Sequence, residues 1–327
     1  MPVIAAGCAA AGTPGGAPAS SVIAGACDDG RGGGWRSVAV EFDGRSHDVD
    51  VLVPGTPADA RPGLVLDLHA SRMNGAEQAA ISGRERVAGE HGVVVATPTG
   101  AVRSPDPTPP LEGGSWSWHV PGVPVLGDQE IPPGTRDDVD FLAEMITVPE
   151  RRACVDPARV YATGYSGGAR MASALACEIP ERIAAVAPVA GLRAGAAEPG
   201  DLAEPDAATC RPGSPVSISA FHGALDEVNP YGGDDDPRWG YSFPAALERW
   251  ARVNGCSPTA RETPVDESIT LVSHDDCAGG AVVQLHRITS DGRTWPGSAR
   301  VACDGCGGQT GRLDATEVMA EFFDALR

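Results

Sequence analysis

The chain has 327 residues, a formal net charge of -19 and a sequence pI near 4.6. A phosphate backbone is held by clustered Lys and Arg, so this acidic balance excludes nucleic acid as a partner, and no run of about 18 apolar residues is present to span a membrane. The length suits one large α/β domain with a full core or two small ones. All basic residues are Arg, a usage that fits GC-rich coding rather than chemistry.

Residues 1–34 carry little apolar periodicity. Ile4-Ala5-Ala6-Gly7-Cys8 resembles the end of a bacterial lipoprotein signal, which predicts a secreted or extracytoplasmic protein and offers Cys8 as a lipid anchor. The Ala/Gly/Pro/Ser-rich stretch that follows, ending in Gly30-Arg31-Gly32-Gly33-Gly34, reads as a flexible tether. Nine cysteines are many for a chain with no metal-type spacing, so neither a metal nor a cofactor is implied. Those from Cys27 onward suit up to four disulfides in an oxidising compartment. Cys256 with Cys277, and Cys154 with Cys177, are the pairings that sequence position suggests. Cys303-Asp304-Gly305-Cys306 has no redox-fold context and reads as structural.

Residues 35–327 read as a single domain. "SVAVEF" and "HDVDVLVP" flank Asp43-Gly44 as an antiparallel hairpin would. "GLVLDLH" and "GVVVATP" are short apolar runs of the kind buried on both faces of a parallel sheet, with a helix over Ala76–His91 between them. The pattern repeats through a helix at Asp137–Arg152, "RVYATG", a helix at Gly167–Glu178 and "IAAVAPVA". Then come "PVSISAFHG", a helix at Phe243–Asn254, a strand near Ile269–Ser273, "AVVQLHRIT" and a helix at Asp314–Leu326. Such alternation predicts an α/β fold, a mostly parallel central sheet with helices on both faces. The Pro-rich loop from Arg103 to Thr135 is the main excursion, and loops of that length are commonly functional.

Gly164-Tyr165-Ser166-Gly167-Gly168 matches G-x-S-x-G between a strand and a helix. That context demands a strained turn lifting the Ser hydroxyl above the sheet, which makes Ser166 the candidate nucleophile. In such enzymes the acid follows and the base comes last. Asp226, just past "SAFHG", is the candidate acid, with Glu227 as the alternative carboxylate. Backbone N–H groups of Gly167 and of Ala70 or Ser71, after "LDLH", are the candidate oxyanion hole. The run Asp234-Asp235-Asp236 reads as a solvated acidic loop.

The stretches "LDLHAS", "SWSW", "DDVDFL", "VYATGYSGGARMASALACEIPERIAAVAPVAG", "FHGALDEVNPYGG", "WARVNGC" and "TWPG" together resemble the secreted poly(3-hydroxybutyrate) depolymerase and feruloyl esterase group of α/β-hydrolases. The resemblance runs from about Trp35 to Arg327. It implies the α/β-hydrolase fold, an ester substrate that can be polymeric, a Ser166–Asp226 pair, and Trp116, Trp118 and Trp295 near the substrate cleft.

The chain departs from that pattern at two points. His69-Ala70 stands where relatives read His-Gly, and Arg293 stands in "SDGRTWPG" where relatives carry the triad histidine. A guanidinium stays protonated and has no lone pair to accept a proton, so Arg293 cannot be a general base. A bidentate pair between Arg293 and Asp226 would fill the space instead. Of the seven histidines only His274 and His286 follow Asp226. His286 lies in a strand roughly 20 Å back along the chain at about 3.3 Å per residue. His274, beside Cys277, reads as surface, His222 as structural, and His119 in the Trp-rich loop as the one candidate for a relocated base.

The readings left open are therefore three. One is an exported serine ester hydrolase acting on polyester, feruloyl or short acyl esters and impaired at its base. Another is a catalytically inactive binding protein on the same scaffold, and the third an acyltransferase or peptidase using the same site.

Overall fold

The computed structural model describes residues 33–55, 61–107, 110–125, 130–300 and 311–326. The tether up to residue 32, Cys8, Cys27, Cys303 and Cys306 lie outside the described residues, and Gly34, read as the end of the tether, instead opens the first strand.

The predicted hairpin forms as β1 (Gly34–Phe42) and β2 (Arg45–Val53), turning through Asp43 and Gly44, which both have positive φ, as a tight two-residue turn requires. β3 (Gly63–Leu68) is buried along its whole length, and α1 (Gly75–Ser82) leads away from it. The single helix expected over Ala76–His91 is broken. Gly83 adopts the left-handed conformation (φ 59°) and its N–H bonds Ala79, ending α1 before the short α2 (Glu85–Ala88). Next follow β4 (Val93–Thr97), the two-residue strands β5 (Val102–Arg103) and β6 (Trp116–Ser117) within the Pro-rich loop, and α3 (Asp138–Arg152). Asp137 caps α3 by accepting the N–H groups of Val139 and Asp140.

Strand β7 (Val160–Tyr165) feeds α4 (Gly167–Glu178), and β8 (Ala185–Val189) returns to the sheet. A small hairpin, β9 (Ala197–Glu198) and β10 (Asp201–Pro205), sits apart from it. The remainder is β11 (Ser217–Gly223), α5 (Phe243–Val253), β12 (Arg261–Pro264), β13 (Ile269–His274), β14 (Val283–Ile288) and α6 (Ala315–Ala325).

Ten strands form one sheet in the order β1-β2-β4-β3-β7-β8-β11-β14-β13-β12. The block from β4 to β14 is parallel throughout, and the strands outside it are antiparallel. Period-two alternation sends Leu64, Leu66 and Leu68 to one face, where α3, α4 and α5 pack through Phe141, Leu175 and Trp250. Val65, Val95 and Phe221 point to the other face, against Ile81 of α1, Ala88 of α2 and Phe323 of α6. Covering both faces leaves the carboxyl edge of the parallel block as the place where loops converge.

Cys256 and Cys277 are bonded, as expected. Cys177 bonds Cys210 rather than Cys154, because Cys177 ends α4 on the side that faces the loop before β11. Cys154 is also disulfide-bonded. Reduction under native conditions should lower stability by about 2–4 kcal/mol per bond through the freed unfolded chain. Urea midpoints with and without dithiothreitol measure this, and equal midpoints would contradict it.

Candidate active site

Ser166 lies at the junction of β7 and α4 with φ 54° and ψ -108°, a left-handed backbone that a non-glycine residue holds only where surrounding structure enforces it. The enforcement is close packing. A Cβ on Gly168 would stand 2.0 Å from the Leu68 carbonyl oxygen, and one on Gly191 would stand 2.4 Å from the Ser166 carbonyl oxygen. The Ser166 N–H donates to Val189, tying the turn to β8. This is the strained strand-to-helix turn that the motif predicts.

Arg293 arrives beside Ser166 from the loop after β14, and its guanidinium donates a hydrogen bond to Ser166 Oγ. The expected Arg293–Asp226 ion pair is not formed. Asp226 uses Oδ1 to accept the N–H groups of Val228 and Asn229 at 2.9 and 2.8 Å, while Oδ2 accepts no hydrogen bond. Burial raises the Asp226 pKa, opposed by those two backbone bonds and by the nearby Arg293 charge. Glu227 is exposed, whereas Asp226 is buried. The Arg293 loop is fixed independently of its side chain, because the Tyr165 hydroxyl donates to the Arg293 carbonyl at 2.8 Å.

The loop after β3 closes the other side. Ser71 N lies 3.0 Å, and Ser71 Oγ 2.4 Å, from where a Cβ on Gly167 would stand, so the Ser71 backbone and the first N–H of α4 border one small space. Helix N1 groups have no intrahelical acceptor, which leaves the Gly167 N–H available to an oxyanion. Ala70 is buried, and its carbonyl accepts the Met73 N–H and a bond from His69 Nδ1.

No histidine bonds Ser166 Oγ among the described residues. His69 Nε2 accepts the Gly100 N–H at 2.9 Å while Nδ1 donates to Ala70, a neutral tautomer whose pKa burial pushes down to about 4. His222 donates from Nε2 to the Asn229 carbonyl, packs on Phe243 and is depressed by burial to about 3. His286 stacks on Phe221 and burial takes it to about 4. His274 is buried, not at the surface, with Nδ1 bonded to the Ser257 carbonyl at 2.9 Å. His119 sits where its N–H donates to Asp138, the carboxylate that also binds Arg136, and its ring Nδ1 is buried without a partner.

Because their folded values lie below the ordinary 6.5, His69, His222 and His286 each add stability that is present above pH 6.5 and lost as pH falls toward the folded pKa. Their imidazole resonances should therefore stay neutral from pH 8 down to about 5. A ring among the three that titrates near 6.5 in nitrogen-detected NMR spectra would refute the structural assignment for that histidine.

Two of the three predicted cleft tryptophans turn inward. Trp118 donates to the His69 carbonyl and Trp295 to Thr316 Oγ1, and both are buried, since large rings serve packing here. Trp116 is partly exposed and lines a cavity of about 600 Å³ with His47, Arg136 and Phe141. That cavity meets the site only indirectly, through Gly100, which bonds His69. Sequence reasoning missed Arg170, whose N–H bonds the Ser166 carbonyl, and Arg193 and Arg238, whose charges are felt at Arg170. The one signal for them was Arg170, a charged residue among the small and apolar residues of the first turns of α4.

A strained serine turn at the carboxyl edge of a mostly parallel, doubly covered sheet is the architecture of the α/β-hydrolase fold, and this chain has that fold. The curated proteins it is similar to are esterases. It is 31% identical over 164 residues to feruloyl esterase B of Piromyces equi, covering 48% of this chain and 28% of that protein. It is 29% identical over 264 residues to NocK of Nocardia uniformis subsp. tsuyamanensis, named as an esterase, covering 75% of this chain and 69% of that one. The chain thus spans well under half of feruloyl esterase B and about two thirds of NocK. Among solved structures, acetyl xylan esterase from Aspergillus awamori superposes with a TM-score of 0.51 at 18% identity over 80% of this chain and 94% of that one. A Klebsiella pneumoniae protein described as a dienelactone hydrolase gives 0.54 at 13% identity over 88% and 97%. These likenesses establish the fold. No protein-family model matches the chain.

Proposed function

We propose that the chain is an exported carboxylic-ester hydrolase, acting through an acyl-enzyme at Ser166 on polyester, feruloyl or short acyl esters, and slow because its general base is replaced. One observation supports this reading: the guanidinium of Arg293 donates a hydrogen bond to Ser166 Oγ, the atom whose proton a triad imidazole would take. Ser166 attacks the ester carbonyl, the N–H groups of Gly167 and of the Ala70–Ser71 loop hold the oxyanion, and Asp226 orients a base this chain lacks. Similarity to feruloyl esterase B supports the ester class, and the disulfides support export into an oxidising compartment. A tether ahead of a single catalytic domain, with or without a lipid on Cys8, is part of the same proposal.

A fluorophosphonate probe tests it. Ser166 should label slowly in the parent, rapidly in Arg293→His and not at all in Ser166→Ala. Parent and Arg293→His that both stay unlabelled would instead favour a binding protein on the hydrolase scaffold, a reading that the covered, fully buried Ser166 also suits. Transfer products with added alcohols would identify an acyltransferase.

A further inference from the structure

We propose that the site around Ser166 binds a carboxylate-bearing ligand, seated by the guanidinium groups of Arg170 and Arg293 at the N-terminal end of α4. Arg170 follows Ser166 by one helical turn, its N–H bonded to the Ser166 carbonyl, and is 5% exposed. Its side chain meets only neutral acceptors, the Arg238 carbonyl at 3.3 Å and Ser71 Oγ at 3.5 Å, with the Trp239 ring 4.3 Å away. Its Nε has no partner. Arg193, 4% exposed, packs on Tyr241, and its Nε and one terminal nitrogen have no acceptor. Arg293 donates to a neutral hydroxyl and its Nε is likewise unpartnered. Among the described residues no carboxylate lies within 4.0 Å of any of these three guanidinium groups.

Arg238 differs, because Asp236 neutralises it through a forked contact. The surplus positive charge is felt across the cluster. Burial first, then the charges of Arg193, Arg238 and Arg293, bring Arg170 down to about 9, with Asp236 opposing. Asp226 faces Arg293, and Asp234 faces Arg193, but neither pairs with it. Stacking on Trp239 and Tyr241 accounts for the packing of two of the guanidinium planes. It does not account for their unused N–H donors.

Buried cations with unused donors favour an anion, and the positive end of the α4 dipole adds to the same preference. Ser71 Oγ, bonded to Arg170, stands against Gly167, so an anion reaching Arg170 also meets the first N–H of α4. A planar carboxylate matches the fork of a guanidinium, whereas a neutral ester uses none of its charge. The ligand class is therefore an acid, or an ester that keeps a free carboxylate. This inference rests on Ser166 marking the ligand site, not on its turnover.

Calorimetric titration of the full chain with benzoate, and with benzamide as the neutral isostere, at fixed ionic strength tests it. Benzoate should bind at one site and benzamide at least about tenfold more weakly, the effect of one lost charged hydrogen bond. Arg170→Met and Arg293→Met, each checked for native circular dichroism, should each lose about tenfold for benzoate, while Arg261→Met, exposed and paired with Asp275, should not. No saturable benzoate binding, equal affinity for the two probes, or affinity unchanged in both Arg170→Met and Arg293→Met would overturn the proposal. Inorganic phosphate binding in place of benzoate would overturn the carboxylate assignment. Esterase kinetics are a separate readout, so a failure of the hydrolase reading leaves this result interpretable.

Discussion

Arg293→His should raise kcat/KM on p-nitrophenyl butyrate by on the order of 10³-fold, the scale that a positioned general base contributes. The parent retains what the oxyanion hole and binding alone supply, about 10³ to 10⁴ over water. The site is prepared for the imidazole in two respects. Asp226 Oδ2 accepts no hydrogen bond, which leaves it for the Nδ1–H of a histidine, and the backbone at position 293 is already pinned by Tyr165. The gain should follow pH through the imidazole range, with activity present above its pKa and lost as pH falls below it, because only the neutral ring accepts the serine proton. Ser166→Ala should abolish activity in both backgrounds. A parent that is already fast, with no gain in the variant, would mean that another group takes the proton. His119, whose ring nitrogen is buried without a partner, would be tested next.

The elements most readable from sequence were those whose residues answer to one physical demand. Strands buried on both faces must be apolar along their whole length, as "GLVLDL" and "VYATGY" are, and both proved fully buried. The G-x-S-x-G turn was legible because close backbone approach leaves only small residues at its flanks. Reading failed where the outcome depends on which distant segments meet. Sequence position suggested Cys154 as the partner of Cys177, and only the packing of α4 against the loop before β11 selects Cys210. Trp118 and Trp295 carry the same area whether they face a substrate or the core, so their inward direction had no local signal. The arginine cluster draws on α4, the loop after β8, the segment before α5 and the loop after β14, four places that only tertiary folding brings together.

Gly168→Ala should be the most damaging small substitution near the site. The added Cβ would stand 2.0 Å from the Leu68 oxygen, 2.5 Å from its carbonyl carbon and 2.6 Å from the His69 oxygen, all main-chain atoms of β3 and the loop that follows. None of these can rotate aside as a side-chain tip would. Relief requires α4 to move off β3, opening the packing between Leu175 and the sheet, at a cost of about 3 kcal/mol and a fall in Tm of roughly 5–10 °C. Gly89→Ala provides the contrast. Its φ is -72°, nothing lies within 4 Å of the new methyl, and the reduced freedom of the unfolded chain should stabilise by about 0.5 kcal/mol. Thermal melts of the two variants beside the parent decide the matter, and a Gly168→Ala protein that melts with the parent would mean that α4 and β3 do not approach so closely. The same displacement carries the Gly167 N–H away from Ser71, so adding Gly168→Ala to Arg293→His should cancel most of the restored turnover even at temperatures where the double variant stays folded. Loss of kcat with the fold intact would tie the tightness of this glycine contact to the geometry of the oxyanion hole.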